Sequence, residues 1–163
     1  MGGTRGLYVL MPSEAPLVNS YVHKSLVVQL QAGDTERFPV LAHLSYDAGD
    51  PFAVTVVFSH DGRVLARWTL DREMLGEGLT RPVGLGDVRF RPESDGPWEE
   101  LCMEFYGNAH PDGGRHHATV FVWAPAVSAF LRETHDVVAP GEEDFGADGF
   151  LAEIFAGGSQ REV

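Results

Sequence analysis

The chain has 163 residues, 44% of them hydrophobic and 22% charged, enough for one domain that buries about 70% of the surface its unfolded form exposes. A single cysteine, Cys102, excludes a disulfide framework and a cysteine-based zinc site. Twelve basic residues against 24 acidic ones leave a net charge of −12, which repels nucleic acid and anionic lipid unless the few cations gather on one face. No stretch approaches the roughly 18 consecutive apolar residues of a membrane span, so the expectation is a soluble, cytoplasmic protein.

Residues 1–20 show no hydrophobic period and are expected to form a flexible N-terminal arm ahead of a single domain over 21–163. "YVHKSLVVQL" and "FPVLAHLSY" are rich in β-branched and aromatic residues and read as strands separated by the loop "QAGDTER". "FAVTVVFS" and "RVLARWTL" follow, joined through "HDG", the signature of a β-hairpin. Beyond a glycine-rich stretch, "GDVRFRP" alternates again. "WEELCMEFYG" and "HATVFVWA" then form a further hairpin around "NAHPDGGRH". Connections too short for helical crossovers predict a mainly antiparallel sheet of about seven strands. Two C-terminal helices complete an α+β pattern. "PAVSAFLRETHDVV" aligns Val127, Phe130 and Leu131 on one stripe, and "DGFLAEIFA" does the same with Phe150, Leu151, Ile154 and Phe155.

The glycine-rich stretch tempts a phosphate-cradle reading. Neither Gly76-Glu77-Gly78 nor Gly84-Leu85-Gly86 continues to the third glycine of a dinucleotide motif, because Arg81 and Arg89 stand there instead. A mechanical role fits better: Asp71 caps a short helix, Gly76 or Gly78 supplies a left-handed C-cap, and Arg81, Pro82, Gly84 and Gly86 turn the chain into the next strand. Arg81 is expected to pair with a carboxylate across the sheet. Ser59, His60 and Asp61 are contiguous, so their side chains diverge and read as turn residues rather than a catalytic triad. His110, His116 and His117 share a loop region without a standard metal spacing. Cys102 reads as a buried structural thiol. No catalytic, cofactor or metal site emerges. The acidic segment "GEEDFGADGF" admits two readings. It is either a solvated helix entrance or a partner-binding segment in which Pro140, Gly141, Glu142, Asp144, Phe145 and Phe150 make the contact.

"LSYDAGDPFAV", "WTLDREMLGEGLTRPVGLGDVRFRP", "FLRETHDVVAPGEE" and "FLAEIFA", in that order, resemble the SsgA-like sporulation and cell-division proteins of filamentous actinomycetes. The second segment is the most specific, with the array W-x-x-x-R-x-x-L-x-E-G-L-x-R-P-x-G-x-G-D-V. The resemblance spans about residues 21–156 and is nearest to the compact SsgB subtype. It implies a non-enzymatic septation adaptor that helps position or recruit the tubulin-like GTPase FtsZ at division septa, without a cofactor. It also implies a twisted, whirly-like sheet with packed helices, assembled as a homotrimer, with FtsZ and other septal proteins as partners. The alternative is a single-stranded nucleic-acid-binding module that uses a patch formed by Arg63, Arg67, Arg72, Arg81, Arg89 and Arg91.

Overall fold

The computed structural model describes residues 20–144, except for Gly33 and His110. The arm expected before residue 20, the second C-terminal helix, Phe145 and Phe150 lie outside the described residues. Eight strands form one antiparallel sheet: β1 Tyr21–Ala32, β2 Glu36–Asp47, β3 Ala53–His60, β4 Arg63–Asp71, β5 Val83–Leu85, β6 Val88–Asp95, β7 Trp98–Ala109 and β8 Arg115–Trp123. Their order across the sheet is β4-β3-β2-β1-β8-β7-β6-β5. Helix α1, Arg72–Glu77, follows β4, and helix α2, Ala124–Val137, follows β8.

The strand absent from the sequence reading is β5, which sits inside the glycine-rich stretch. Leu85 pairs with Val88, and the two intervening residues are Gly86 at φ 62 and Asp87. Positive φ at the first central residue alone, here glycine, is the type II′ pattern, whose twist suits the flanking strands. "HDG" makes the other primed turn: Asp61 at φ 49 and Gly62 at φ 76 both adopt positive φ between His60 and Arg63, which is the type I′ pattern.

The sheet is strongly curled. Phe58 on β3 and Phe105 on β7 lie four strand spacings apart, roughly 19 Å on a flat sheet. Their ring centroids are 5.5 Å apart, and those of Trp68 on β4 and Phe105 are 5.0 Å apart. The strands therefore bend round so that their inner faces meet. That concave face carries Val28, Val40, Ala42, Leu44, Val54, Val56, Phe90, Leu101 and Val120, all buried. Helix α2 lies against it through Val127, Phe130 and Leu131, the stripe expected from sequence.

Asp71 is the N-cap of α1, its Oδ1 accepting from the Met74 N–H at 3.0 Å. The expected left-handed C-cap is absent: Gly78 is right-handed at φ −61. Its glycine is required by proximity, since a Cβ there would stand 2.4 Å from Cβ of Phe90. The helix therefore lies close on β6 and needs no positive φ.

Candidate functional site

Arg72 is the first residue of α1, and with Leu75 it faces inward because the two are three apart on one helical face. Its side chain is 2% exposed, in a position where an arginine survives only if every donor finds an acceptor. Nη1 donates to the carbonyl oxygens of Thr134 at 3.1 Å and Val138 at 2.7 Å, and Nη2 donates to Oε1 of Glu143 at 2.5 Å. The guanidinium also stands 4.9 Å from the ring centre of the buried Tyr46, whose hydroxyl donates to the Pro51 carbonyl at 3.0 Å. One cation thus caps the carbonyl end of α2, where the helix dipole favours positive charge, and fastens the chain that leaves it.

That departing chain is the acidic segment. Ala139 to Glu142 form a turn closed by the Glu142 N–H donating to the Ala139 carbonyl at 3.0 Å, with Gly141 at φ 83. Proline at the second position and a left-handed glycine at the third define type II. Pro140, Gly141, Glu142 and Asp144 are exposed, whereas Glu143 turns inward to Arg72. Glu143 is therefore the anchor, and the residues on either side of it are displayed. The Arg72 hydrogen bond, assisted by backbone donors, holds the Glu143 carboxyl below its ordinary 4.5. His135, in the last turn of α2, is held below 6.5, first by burial and then by the Arg72 charge.

The outer, convex face of the sheet consumes most of the remaining arginines. Arg91 on β6 donates to Glu104 on β7 at 2.5 Å and lies near Glu93 at 3.4 Å, while the Tyr106 hydroxyl donates to Glu104 at 3.1 Å. Burial opposes charge on Glu104, but those hydrogen bonds outweigh it and the carboxyl is held below its usual range. Arg115 binds Asp87, and Tyr106 stacks on His117 at 4.6 Å with the Arg89 guanidinium 5.3 Å from its ring centre. Arg37 lies over the ring of Phe121 and donates to Glu100 at 3.1 Å.

The arginine patch of the nucleic-acid reading is not gathered. Arg72 is buried, Arg81 pairs with Glu77, Arg91 pairs with Glu104, and Arg63 and Arg67 lie on β4, at the opposite edge from the β5–β6 hairpin. Arg81 also departs from expectation. Its partner is the residue four positions earlier, at 2.5 Å on an exposed surface, because the chain continues its helical winding past Glu77. A groove of about 590 Å³ does run under the β5 hairpin past Gly84 and Gly86, but Glu104 also lines it and is bonded to Arg91, one of its two cations. This is poor chemistry for a phosphate.

The other expected residues resolve as follows. His116 and His117 lie on β8, because β7 and β8 extend further into the "NAHPDGGRH" loop than their pattern indicated. Among the described residues, no three potential ligands converge as a metal site. Ser59 does not meet Asp61. Its Oγ is 3.1 Å from Nε2 of His43, whose Nδ1 is 2.9 Å from Oγ of Ser25. That Ser-His-Ser chain lacks the carboxylate that would stabilise an imidazolium, and it lies mid-sheet, where backbone N–H groups are committed to ladders and offer no oxyanion hole. Cys102 is fully buried, and burial pushes its thiol up to about 11. No helix among the described residues is long and apolar enough to cross a membrane.

The family model for the Streptomyces sporulation and cell division protein SsgA matches residues 40–143, a span containing both Arg72 and Glu143. The chain belongs to the SsgA family. Among its SsgA-family relatives, the sporulation-specific cell division protein SsgB of Streptomyces coelicolor is 33% identical over 141 residues, covering 85% of this chain and 98% of that one. SsgB of Saccharopolyspora erythraea is 35% identical over 123 residues, covering 76% and 82%. Two solved structures share the SsgA-family fold. One comes from work on SsgB mutations and longitudinal cell division during sporulation of Streptomyces coelicolor, with TM-score 0.67 and 33% identity over 77% of this chain and 94% of that one. The other is the SsgA-like sporulation-specific cell division protein of Thermobifida fusca, with TM-score 0.70 and 29% identity over 82% and 95%.

Proposed function

We propose that this SsgA-family chain is a non-catalytic adaptor of septum formation that helps position or recruit FtsZ, and that the turn Pro140–Asp144 is its principal partner contact. The observation that carries the proposal is the Arg72 clasp. A buried arginine holds Glu143 so that Glu142 and Asp144 on either side are presented to solvent from a fixed turn. Pre-ordering of this kind lowers the entropy cost of docking, and exposed carboxylates steer a partner and set its register. The relatives' designation as sporulation-specific cell division proteins supplies the setting. Phe145 and Phe150 extend the proposed contact beyond the clasp as apolar anchors.

A homotrimer recruited from the cytoplasm to septa, on a whirly-like fold, is part of the same reading. An exposed apolar row on the convex face supports self-association: Val27 pairs with Leu41, and Trp123 follows Phe121, which stands opposite Gln29 on the same face. The test is co-sedimentation of the purified protein with GTP-polymerised FtsZ from the same organism, across a salt series and with labelled single-stranded DNA as competitor. Pelleting with polymer regardless of DNA is expected. Retention in the supernatant with salt-sensitive DNA binding would overturn the reading.

A further inference from the structure

Strand β4 is an edge strand of nine residues with no proline or glycine, and among the described residues nothing pairs with its outer side. An open edge of this length is a template for another strand, and proteins normally blunt such edges. Here one bulge, at Leu65, interrupts the strand, and the regular stretch Ala66–Asp71 beyond it is furnished instead. On its convex side Arg67 stands opposite Val57, whereas the bulge at Leu65 shifts the register so that Arg63, opposite His60, lies on the other face. Neither forms a salt bridge among the described residues, unlike Arg37, Arg72, Arg81, Arg91 and Arg115. On the concave side an apolar cavity of about 320 Å³ opens beside the same strand, walled by Leu65, Ala66 and Trp68 of β4 together with Val40, Phe58 and Phe105. Val64 and Leu65 remain 68% and 50% exposed.

We infer that the β4 edge with its adjoining cavity is a recognition site for an extended peptide segment of a partner protein, one that alternates acidic and bulky apolar residues. An added strand would satisfy the free main-chain groups of β4. Along the regular stretch Ala66–Asp71 its alternate side chains would fall on opposite faces, acids beside Arg67, and apolar groups into the cavity beside Trp68. Charge decides among occupants. Two copies meeting edge to edge would bring their arginines together, whereas an acidic strand meets them with opposite sign. The site is separate from the Pro140–Asp144 turn, so it stands or falls independently of the FtsZ reading.

The test measures binding of two labelled hexapeptides to the full chain by fluorescence anisotropy: one alternates aspartate with phenylalanine, the other lysine with phenylalanine. The net charge of −12 favours the lysine peptide everywhere except at this edge. The inference predicts that the aspartate peptide binds at least tenfold tighter, that Arg67→Glu removes that preference without altering the thermal melt, and that Arg81→Glu leaves it intact. Hydrogen exchange should show new protection confined to β4 amides. Preference for the lysine peptide, or indifference to Arg67→Glu, would overturn it. So would a β4-dependent dimer in sedimentation, or binding seen only after truncation at Asp144, since these outcomes assign the edge to a second copy or to the chain's own C-terminal segment.

Discussion

Arg72 is the residue on which the C-terminal part of the molecule depends, and its chemistry makes specific demands on substitutes. Alanine would leave the carbonyls of Thr134 and Val138 and the Glu143 carboxylate without their shared donor. Arg72→Ala is expected to cost roughly 3 kcal/mol, which for a chain of this size lowers Tm by roughly 6–12 °C. Calorimetry checks this, and an unchanged Tm would refute the clasp. Arg72→Lys keeps the charge but offers no planar fork, so it should recover only part of the loss. The acid side follows from the same contact. Glu143 and His135 both have pKa values depressed in the folded state, so the stability they contribute is present above their ordinary values and is lost as pH falls through the folded ones. Stability should therefore decline first below about 6.5 as His135 gains its proton and again below 4.5 as Glu143 does. Faster amide exchange is expected over residues 138–144, and Glu143→Gln should remove the second step. Cys102, with its thiol near 11, should react with a thiol reagent at neutral pH only as fast as the protein unfolds.

The elements show where local chemistry sufficed and where it did not. The "HDG" hairpin, the Asp71 cap and the α2 stripe were legible because each is governed by residues within four positions of one another. Strand β5 was not: three residues between Pro82 and Gly86 carry no alternation, and only pairing to β6 makes them a strand. The role of Gly78 is illegible for a similar reason, since nothing local announces that Phe90 arrives twelve positions later to occupy the space a Cβ would need. The sequence groups Arg72 with the other cations of its stretch, although the W-x-x-x-R array sets it apart. Its burial depends on α2, which lies more than fifty residues away in sequence. The two glycines of α1 accordingly separate in a mutational test. Gly78→Ala should cost about 1–3 kcal/mol by overpacking against Phe90. A Cβ at Gly76 would meet only Cδ1 of Leu131, at 3.7 Å, so Gly76→Ala should stabilise α1 by up to about 1 kcal/mol. Urea denaturation of the pair checks the contrast, and equal effects would contradict the close approach of α1 to β6.

At the scale of the whole molecule, a curled sheet wraps its inner face around α2 and leaves an outer face on which arginines paired with neighbouring carboxylates flank an exposed apolar row. Among the described residues most of the excess negative charge is carried by loops and turns, of which Pro140–Asp144 is fixed from within by Arg72. Self-association through the apolar row on the convex face predicts a solution mass about three times the 17.8 kDa of the chain. Val27→Glu, at a position 64% exposed, should reduce that mass by light scattering without changing the melt. The central claim, that the clasped acidic turn contacts FtsZ, is tested most directly by repeating the co-sedimentation with Glu142→Lys/Asp144→Lys beside Glu99→Lys, a reversal at an exposed site on β7. The account predicts that the double reversal abolishes pelleting with FtsZ polymers while Glu99→Lys pellets like the unmodified protein. Equal pelleting of all three, with folds intact, would contradict it.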